Sequence, residues 1–222
     1  MDRFEDILTE ASWKINVPLG DGERTLLTKY YEELIFWNKT ISLVSVKSPL
    51  DIPIKHFIDS LTVLHFIEKR ASRLLDLGSG AGFPGIPLKI VLRRLKLTLV
   101  ESSRKKASFL KNVTRKLDLD DVTIVNERVE SILEEKDHRG SYDIVISRAT
   151  FKLPELIERG APFLSSGGTL IAMKGKNTAI ELSESSGLAL KKGLALPECY
   201  DIELPITGHK RKILLLKKLP RI

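Results

Sequence analysis

The sequence has a single cysteine, Cys199, among 222 residues. A lone thiol excludes an internal disulfide framework and leaves too few thiolates for a structural zinc site. Its expected place is that of a buried small residue on a strand. No apolar run is long enough to span a bilayer. The opening residues MDRFEDILTE are acidic where a secretory signal would be basic and then apolar. These absences predict a cytoplasmic protein with no membrane anchor and no metal. The 42% hydrophobic content is enough for an ordinary core, one globular domain with an appendage.

The formal charge of +7 is unevenly placed. Residues 1–70 hold 9 Lys and Arg against 11 Asp and Glu, residues 71–222 hold 27 against 18, so the parts carry −2 and +9. A positive field of that size attracts polyanions, of which nucleic acid is the commonest in a cytoplasm.

Residues 1–70 read as a helical N-terminal extension and 71–222 as an α/β domain. Leu27, Tyr30, Tyr31, Leu34 and Trp37 recur at three- and four-residue steps, one apolar stripe between about 23 and 37. A second amphipathic segment runs from about Ile54 to Glu68, after Pro49 and Pro53. From Arg73 onward short β-branched runs alternate with amphipathic ones, the pattern of a parallel sheet with helices on both faces. Strands are expected at 73–77, 97–101, 122–126, 142–147 and 168–173. Helices fit at about 86–94, 103–117, 129–135, 153–163 and 177–192. The end differs: 199–204 and 212–218 read as two strands joined by a short loop containing Gly208. A mostly parallel, Rossmann-like sheet of seven strands closing in an antiparallel hairpin is the layout of the class I methyltransferase fold.

The segment LLDLGSGAGFPG puts Gly78, Gly80 and Gly82 between a strand and a helix, where missing Cβ atoms let the backbone turn and approach a ligand. A dinucleotide site wants G-x-G-x-x-G, but its third glycine would fall on Phe83. The pattern is instead D-x-G-x-G-x-G led by Asp76. S-adenosylmethionine has no pyrophosphate, and a carboxylate near its ammonium group is favourable, so this cofactor fits the loop better. Glu101 closes the second strand about 20 residues on, where a carboxylate matches two vicinal ribose hydroxyls. Ser102 and Ser103 follow, as helix caps or cofactor contacts. Val129 and Glu130 follow the third strand; Val129 is placed to pack on an adenine, and Glu130 fits either a contact or a solvated helix start.

With those residues in view the chain resembles the bacterial RsmG family, also called GidB, over essentially its whole length. The resemblance is carried by WNKTISLVSV (37–46), KHFIDSL (55–61), LLDLGSGAGFPGIPL (74–88), VESSRKKASFL (100–110), SRAT (147–150) and MKGK (173–176). It implies a guanine-N7 methyltransferase acting on 16S ribosomal RNA or the small ribosomal subunit. It also implies cofactor contacts at Gly78, Phe83, Glu101 to Ser103, Val129, Glu130 and Arg148. Aspartate is also familiar at position 101 in that family; glutamate lengthens the arm and keeps the carboxylate.

The chemistry the residues permit is compatible with that implication and also admits other unprotonated nucleophiles. Attack by a pyrimidine C5 needs a cysteine, and none lies near the expected site. Exocyclic amine methylation commonly uses a [DNS]-P-P-[YFW] tetrad after the fourth strand, where this chain has Ser147-Arg148-Ala149-Thr150. An unprotonated ring nitrogen such as guanine N7 needs neither device, and no acid–base residue is assigned. Arg148 is placed to hold the methionine carboxylate or an RNA phosphate. Lys174 and Lys176 follow the fifth strand, either solvated or neutralising phosphates. His56 and Asp59 share a helix face beside Ser60 and are placed to bond each other; the resemblance puts this turn at the mouth of the site. Arg104, Lys111 and Arg115 form a row opposite Ala107, Leu110, Val113 and Leu117, a solvated face or an RNA surface. His209 to Lys212 add cations in the final loop. The competing readings are a methyltransferase for a small molecule or protein, and a non-catalytic RNA-binding assembly factor.

Overall fold

The computed structural model describes residues 2–48, 50–176 and 178–220. Two helices, α1 (Asp2–Lys14) and α2 (Asp21–Asn38), precede an irregular helical stretch. Pro53–Ile58 is wound as a π-helix, Asp59–Leu61 (α3) is α-helical, and Thr62–Phe66 is 3₁₀. The expected single helix over 54–68 is therefore broken in two places. Ser60 Oγ donates to the His56 carbonyl and Thr62 Oγ1 to the Asp59 carbonyl, so side-chain hydroxyls compete for groups a regular helix would use.

The sheet strands are β1 (Arg73–Leu77), β2 (Lys96–Val100), β3 (Val122–Val125), β4 (Tyr142–Arg148), β5 (Leu164–Lys174), β6 (Glu198–Glu203) and β7 (Lys210–Lys217). Between them lie α4 (Gly85–Val91), α5 (Arg104–Lys116), α6 (Val129–Ile132), α7 (Leu153–Gly160) and α8 (Ala179–Lys191). Their order is β3-β2-β1-β4-β5-β7-β6, with β7 antiparallel to both neighbours and the remaining pairs parallel. The order reverses between β1 and β4, and open sheets of this kind bind ligands at the carboxyl ends of the strands flanking that point.

Alternation along each strand feeds two cores. Leu74, Leu97, Ile144, Ile146 and Ile171 face a cluster holding Phe4, Leu27, Tyr30, Phe57, Ile86 and Phe109. Leu75, Leu77, Val145, Leu170 and Ala172 face Val129, Leu156, Ile157, Phe163 and Ala189 on the other side. The first 70 residues thus share one core with α4 and α5 on a single face of the sheet.

Five further expectations are corrected. Helix α6 stops at Ile132, and α7 ends at Gly160, giving way to a 3₁₀ turn over Ala161–Phe163 in which Pro162 has no N–H to donate. Strand β5 begins four residues early, with an irregular register between Tyr142 and Ile144 that lets Leu164 pair with Tyr142. Lys210 to Lys212 belong to β7 and not to the loop. Cys199 is exposed: β6 is the edge strand, and only Ile202 along it is even partly buried. Residue 177, where the last helix was expected to begin, lies outside the described residues.

Candidate functional site

A cleft of about 1050 Å³ opens at the carboxyl ends of β1, β2 and β4. Its floor is the loop after β1. Gly78 and Ser79 donate their N–H groups to the Val100 carbonyl at 3.0 Å each, tying the loop to β2. Gly80 N–H donates to Glu101 Oε2 at 2.8 Å, and Ser103 N–H to Glu101 Oε1 at 2.7 Å. Glu101 therefore fixes the loop and the entry to α5 at once.

The glycines divide by what surrounds them. Gly80 has φ +58°, and a Cβ there would meet only the Gly78 carbonyl, at 4.0 Å, in the cleft itself. Gly82 has φ +92°, but its Cβ would stand 2.5 Å from Ile86 Cδ1 and 2.9 Å from the Tyr30 hydroxyl. Gly80 thus leaves room for a ligand, while Gly82 leaves room for the protein's own packing and does not line the cleft. Tyr30, buried on α2, donates its hydroxyl to the Ala81 carbonyl and stacks on Phe83. The sequence stripe marked Tyr30 as packing only, because nothing local shows that its hydroxyl reaches 51 residues along the chain.

Asp76 also stands behind the cleft wall. Its Oδ2 accepts the Gly85 N–H at 3.0 Å, and its Oδ1 is buried with no partner among the described residues. Burial pushes the carboxyl up to about 7, against the Gly85 bond and the Arg148 charge, with Glu101 adding to the rise. Its place is beneath the loop, holding the start of α4.

Glu101, Ser102, Val129 and Glu130 line the second wall; Ser103 is the N-cap residue of α5 and lies off it. Val129 is buried, presenting an apolar side. Glu130 pairs with Arg159 at 2.6 Å. Asn126, which the sequence did not single out, donates to the Glu101 carbonyl at 2.8 Å and steadies that strand end.

The third wall is the Arg148 cluster. Arg148 Nη1 donates to the Lys55 carbonyl at 3.0 Å and reaches Asp59 Oδ2 at 3.4 Å. Its Nη2 donates to His56 Nδ1 at 3.0 Å, and the guanidinium lies 5.1 Å from the Phe83 ring centre. Arginine has no acceptor, so His56 Nδ1 must carry the lone pair and the ring is neutral with its proton on Nε2. Burial, then the Arg148 charge, hold His56 down at about 3. Arg211 Nε meets the other oxygen of Asp59 at 3.4 Å. Burial pushes Asp59 up while the two guanidinium groups pull it back. His56 and Asp59 thus converge on Arg148 instead of on each other, and Ser60 is buried behind them on the His56 carbonyl.

Lys174 lines the cleft but is buried and paired with Glu181 at 2.8 Å, while Lys176 is exposed and off the wall. Arg104, Lys111 and Arg115 are exposed on the outer side of α5. Leu43, Val44, Ser45, Lys47, Asp51 and Lys55 supply a rim that residue patterns did not reveal. Asn38 Oδ1 accepts the Leu43 and Val44 N–H groups, and Asp51 accepts those of Lys47 and Ser48 beside an ion pair with Lys55 at 2.6 Å. Such turn-organising carboxylates and amides leave no periodic trace. Among the described residues no helix is long and apolar enough to cross a membrane, and no group of three His, Cys, Asp or Glu could hold a metal.

Known proteins bear on this architecture. The chain is 46% identical over 96% of its length to a ribosomal RNA small subunit methyltransferase G of Syntrophus aciditrophicus (strain SB), covering 88% of that protein. It is 37% identical to the protein of the same name from Alkaliphilus oremlandii (strain OhILAs), over 97% of this chain and 91% of that one. In fold it is similar to M. jannaschii TYW2 solved in complex with AdoMet, with TM-score 0.58, 16% identity, and 75% and 76% of the two chains covered. A SAM dependent methyltransferase from Aquifex aeolicus gives TM-score 0.57 at 15% identity, over 78% of this chain and 94% of the other. The model of the GidB family, described as rRNA small subunit methyltransferase G, matches residues 23–201, and the chain belongs to that family.

Proposed function

We propose that this protein methylates N7 of a guanine in 16S ribosomal RNA, using S-adenosylmethionine bound across the Gly78–Gly80 turn, Glu101 and Val129. The observation that carries the reading is Gly80: a loop held rigidly at both sides whose missing Cβ is replaced by open cleft. The cofactor supplies an activated methyl group and a leaving sulfur. The chain's own residues position and exclude water. Glu101, with both oxygens already oriented by backbone N–H groups, retains lone pairs for vicinal hydroxyls. Val129 offers an apolar face to a purine.

Held there, S-adenosylmethionine would supply a methyl group already activated by its positive sulfur, and the lone pair of guanine N7 could take it up directly, the charge going to the purine. No proton moves. The site suits that balance: His56 Nδ1 is occupied by Arg148, and Ser147 is buried with its hydroxyl donated to the Leu77 carbonyl at 2.8 Å. Alignment of the reacting atoms then carries the rate. The substrate is the RNA itself or the small subunit, met in the cytoplasm.

The test is incubation of labelled cofactor with 16S rRNA and small subunits from cells lacking the enzyme. An N7-methylated guanine makes the chain cleavable by aniline after borohydride reduction, so label should coincide with one cleavage site. Label without cleavage would move the target to another atom.

A further inference from the structure

Helix α5 breaks a rule of helix stability. Its 13 residues, RKKASFLKNVTRK, hold six cations and no acidic side chain, and three of the cations, Arg104, Lys105 and Lys106, fill the first turn. The positive end of the helix dipole disfavours cations there by about 0.3–1 kcal/mol each. Only Lys116 finds an anion among the described residues, Glu33 at 2.5 Å. On the opposite face of the sheet Arg159, Lys174 and Lys192 each meet a carboxylate.

This uncompensated row runs from the cleft outward. Lys106 lines the cleft, and Arg104, Lys105, Lys111 and Arg115 continue along exposed positions. An exposed aromatic stands on the neighbouring helix α2, level with the middle of the row. Helix α2 packs antiparallel to α5: Glu33 bonds Asn112 and Lys116, and four residues on Trp37 sits edge-on to Phe109, nearer the start of α5. Phe36, three residues after Glu33 and next to Trp37, shares that side of α2 with Lys29. It is 66% exposed although it neighbours a core that had room for Trp37. Glu32, one turn before it, is exposed and makes no ion pair among the described residues, so the cations outnumber it locally.

We infer that the α2–α5 seam is the docking surface for the RNA strand flanking the target nucleotide, with an unpaired base stacked on Phe36 and phosphates held by α5. The inference rests on the reading of RNA as substrate. Cations that cost stability in the first turn are explained by a polyanion that neutralises them, and a protruding ring among cations is the form that base stacking requires.

The test is binding of deproteinised 16S rRNA and of small subunits over a salt series, with methylation measured in parallel. Phe36→Ala should weaken binding to both about 5- to 150-fold, the equivalent of ~1–3 kcal/mol for one stacked base, with an unchanged salt slope and unchanged cofactor affinity. Phe36→Trp should restore binding. Arg104→Gln with Lys111→Gln should instead flatten the slope, by about 0.7 per lost contact to a single strand. Wild-type methylation of RNA with unaltered binding by Phe36→Ala would overturn the surface while leaving the substrate standing. So would a loss confined to small subunits, which would give Phe36 to a ribosomal protein. A wild-type enzyme that methylates no RNA would remove the reading beneath it.

Discussion

Exchanging Gly80 and Gly82 for alanine one at a time separates the space kept for a ligand from the space kept for packing. Both residues lie at positive φ, so each alanine costs about 1–2 kcal/mol of backbone strain. At Gly80 nothing is added to that, since no atom but the Gly78 carbonyl at 4.0 Å faces the new methyl. At Gly82 the methyl must displace the buried Ile86 side chain from 2.5 Å and the Tyr30 hydroxyl from 2.9 Å. Overpacking of that kind adds about 1–3 kcal/mol. For a chain of this size a kcal/mol shifts Tm by about 2–4 °C, so Gly80→Ala should lose about 2–8 °C and Gly82→Ala about 4–20 °C. Cofactor affinity should run the other way for the milder variant. Gly80→Ala keeps its fold yet should bind S-adenosylmethionine more than about tenfold more weakly, a loss of ~1.4 kcal/mol or more. Scanning calorimetry of the free protein and titration calorimetry with cofactor give the two numbers. Wild-type affinity in Gly80→Ala would refute the placement of the cofactor over that turn, and equal Tm losses would refute the division between the glycines.

Tyr30→Phe keeps the ring and leaves the Ala81 carbonyl buried without its donor, so chemical denaturation should show a loss of about 1–3 kcal/mol; an unchanged midpoint would deny that bond any weight. His56 is held near 3 in the folded chain against about 6.5 unfolded, so the unfolded state takes up the proton first and stability falls as pH drops from 6.5 toward 3. His56→Gln should lack that part of the acid loss, as denaturant melts across the range would show. Asp76 has the opposite sign: raised to about 7, it stays protonated in the folded chain where the unfolded carboxyl has ionised, so its contribution falls as pH rises from about 4 to 7. Asp76→Asn should gain on wild type between pH 5 and 8, and parallel melts at the two pH values would exclude the raised carboxyl. Single-turnover methyl transfer, with cofactor and RNA saturating, should show no titration of an enzyme base; a rate rising with pH and abolished by His56→Gln would restore one.

The sheet was legible because burial on both faces demands short apolar runs, and β1 to β4 each carry one within a residue or two of their final bounds, while β5 begins four residues before its own. The glycine loop and Glu101 were legible for the same local reason: a sharp turn and a strand-end carboxylate need particular residue types at fixed spacing. Local pattern put Val129 and Arg148 at strand ends that form the cleft wall, and the family resemblance added Phe83. Local pattern could not determine partners set by packing between distant segments. Asp76 and Gly82 belong to the same motif as Gly80, yet the fold turns the first beneath the loop and spends the second on Tyr30 and Ile86. His56 and Asp59, a helical pair by spacing, both turn to an arginine about 90 residues away because the π-helical winding and β4 bring Arg148 between them. Cys199 is exposed because its strand became the edge of the sheet, a property of strand order that no run of side chains encodes.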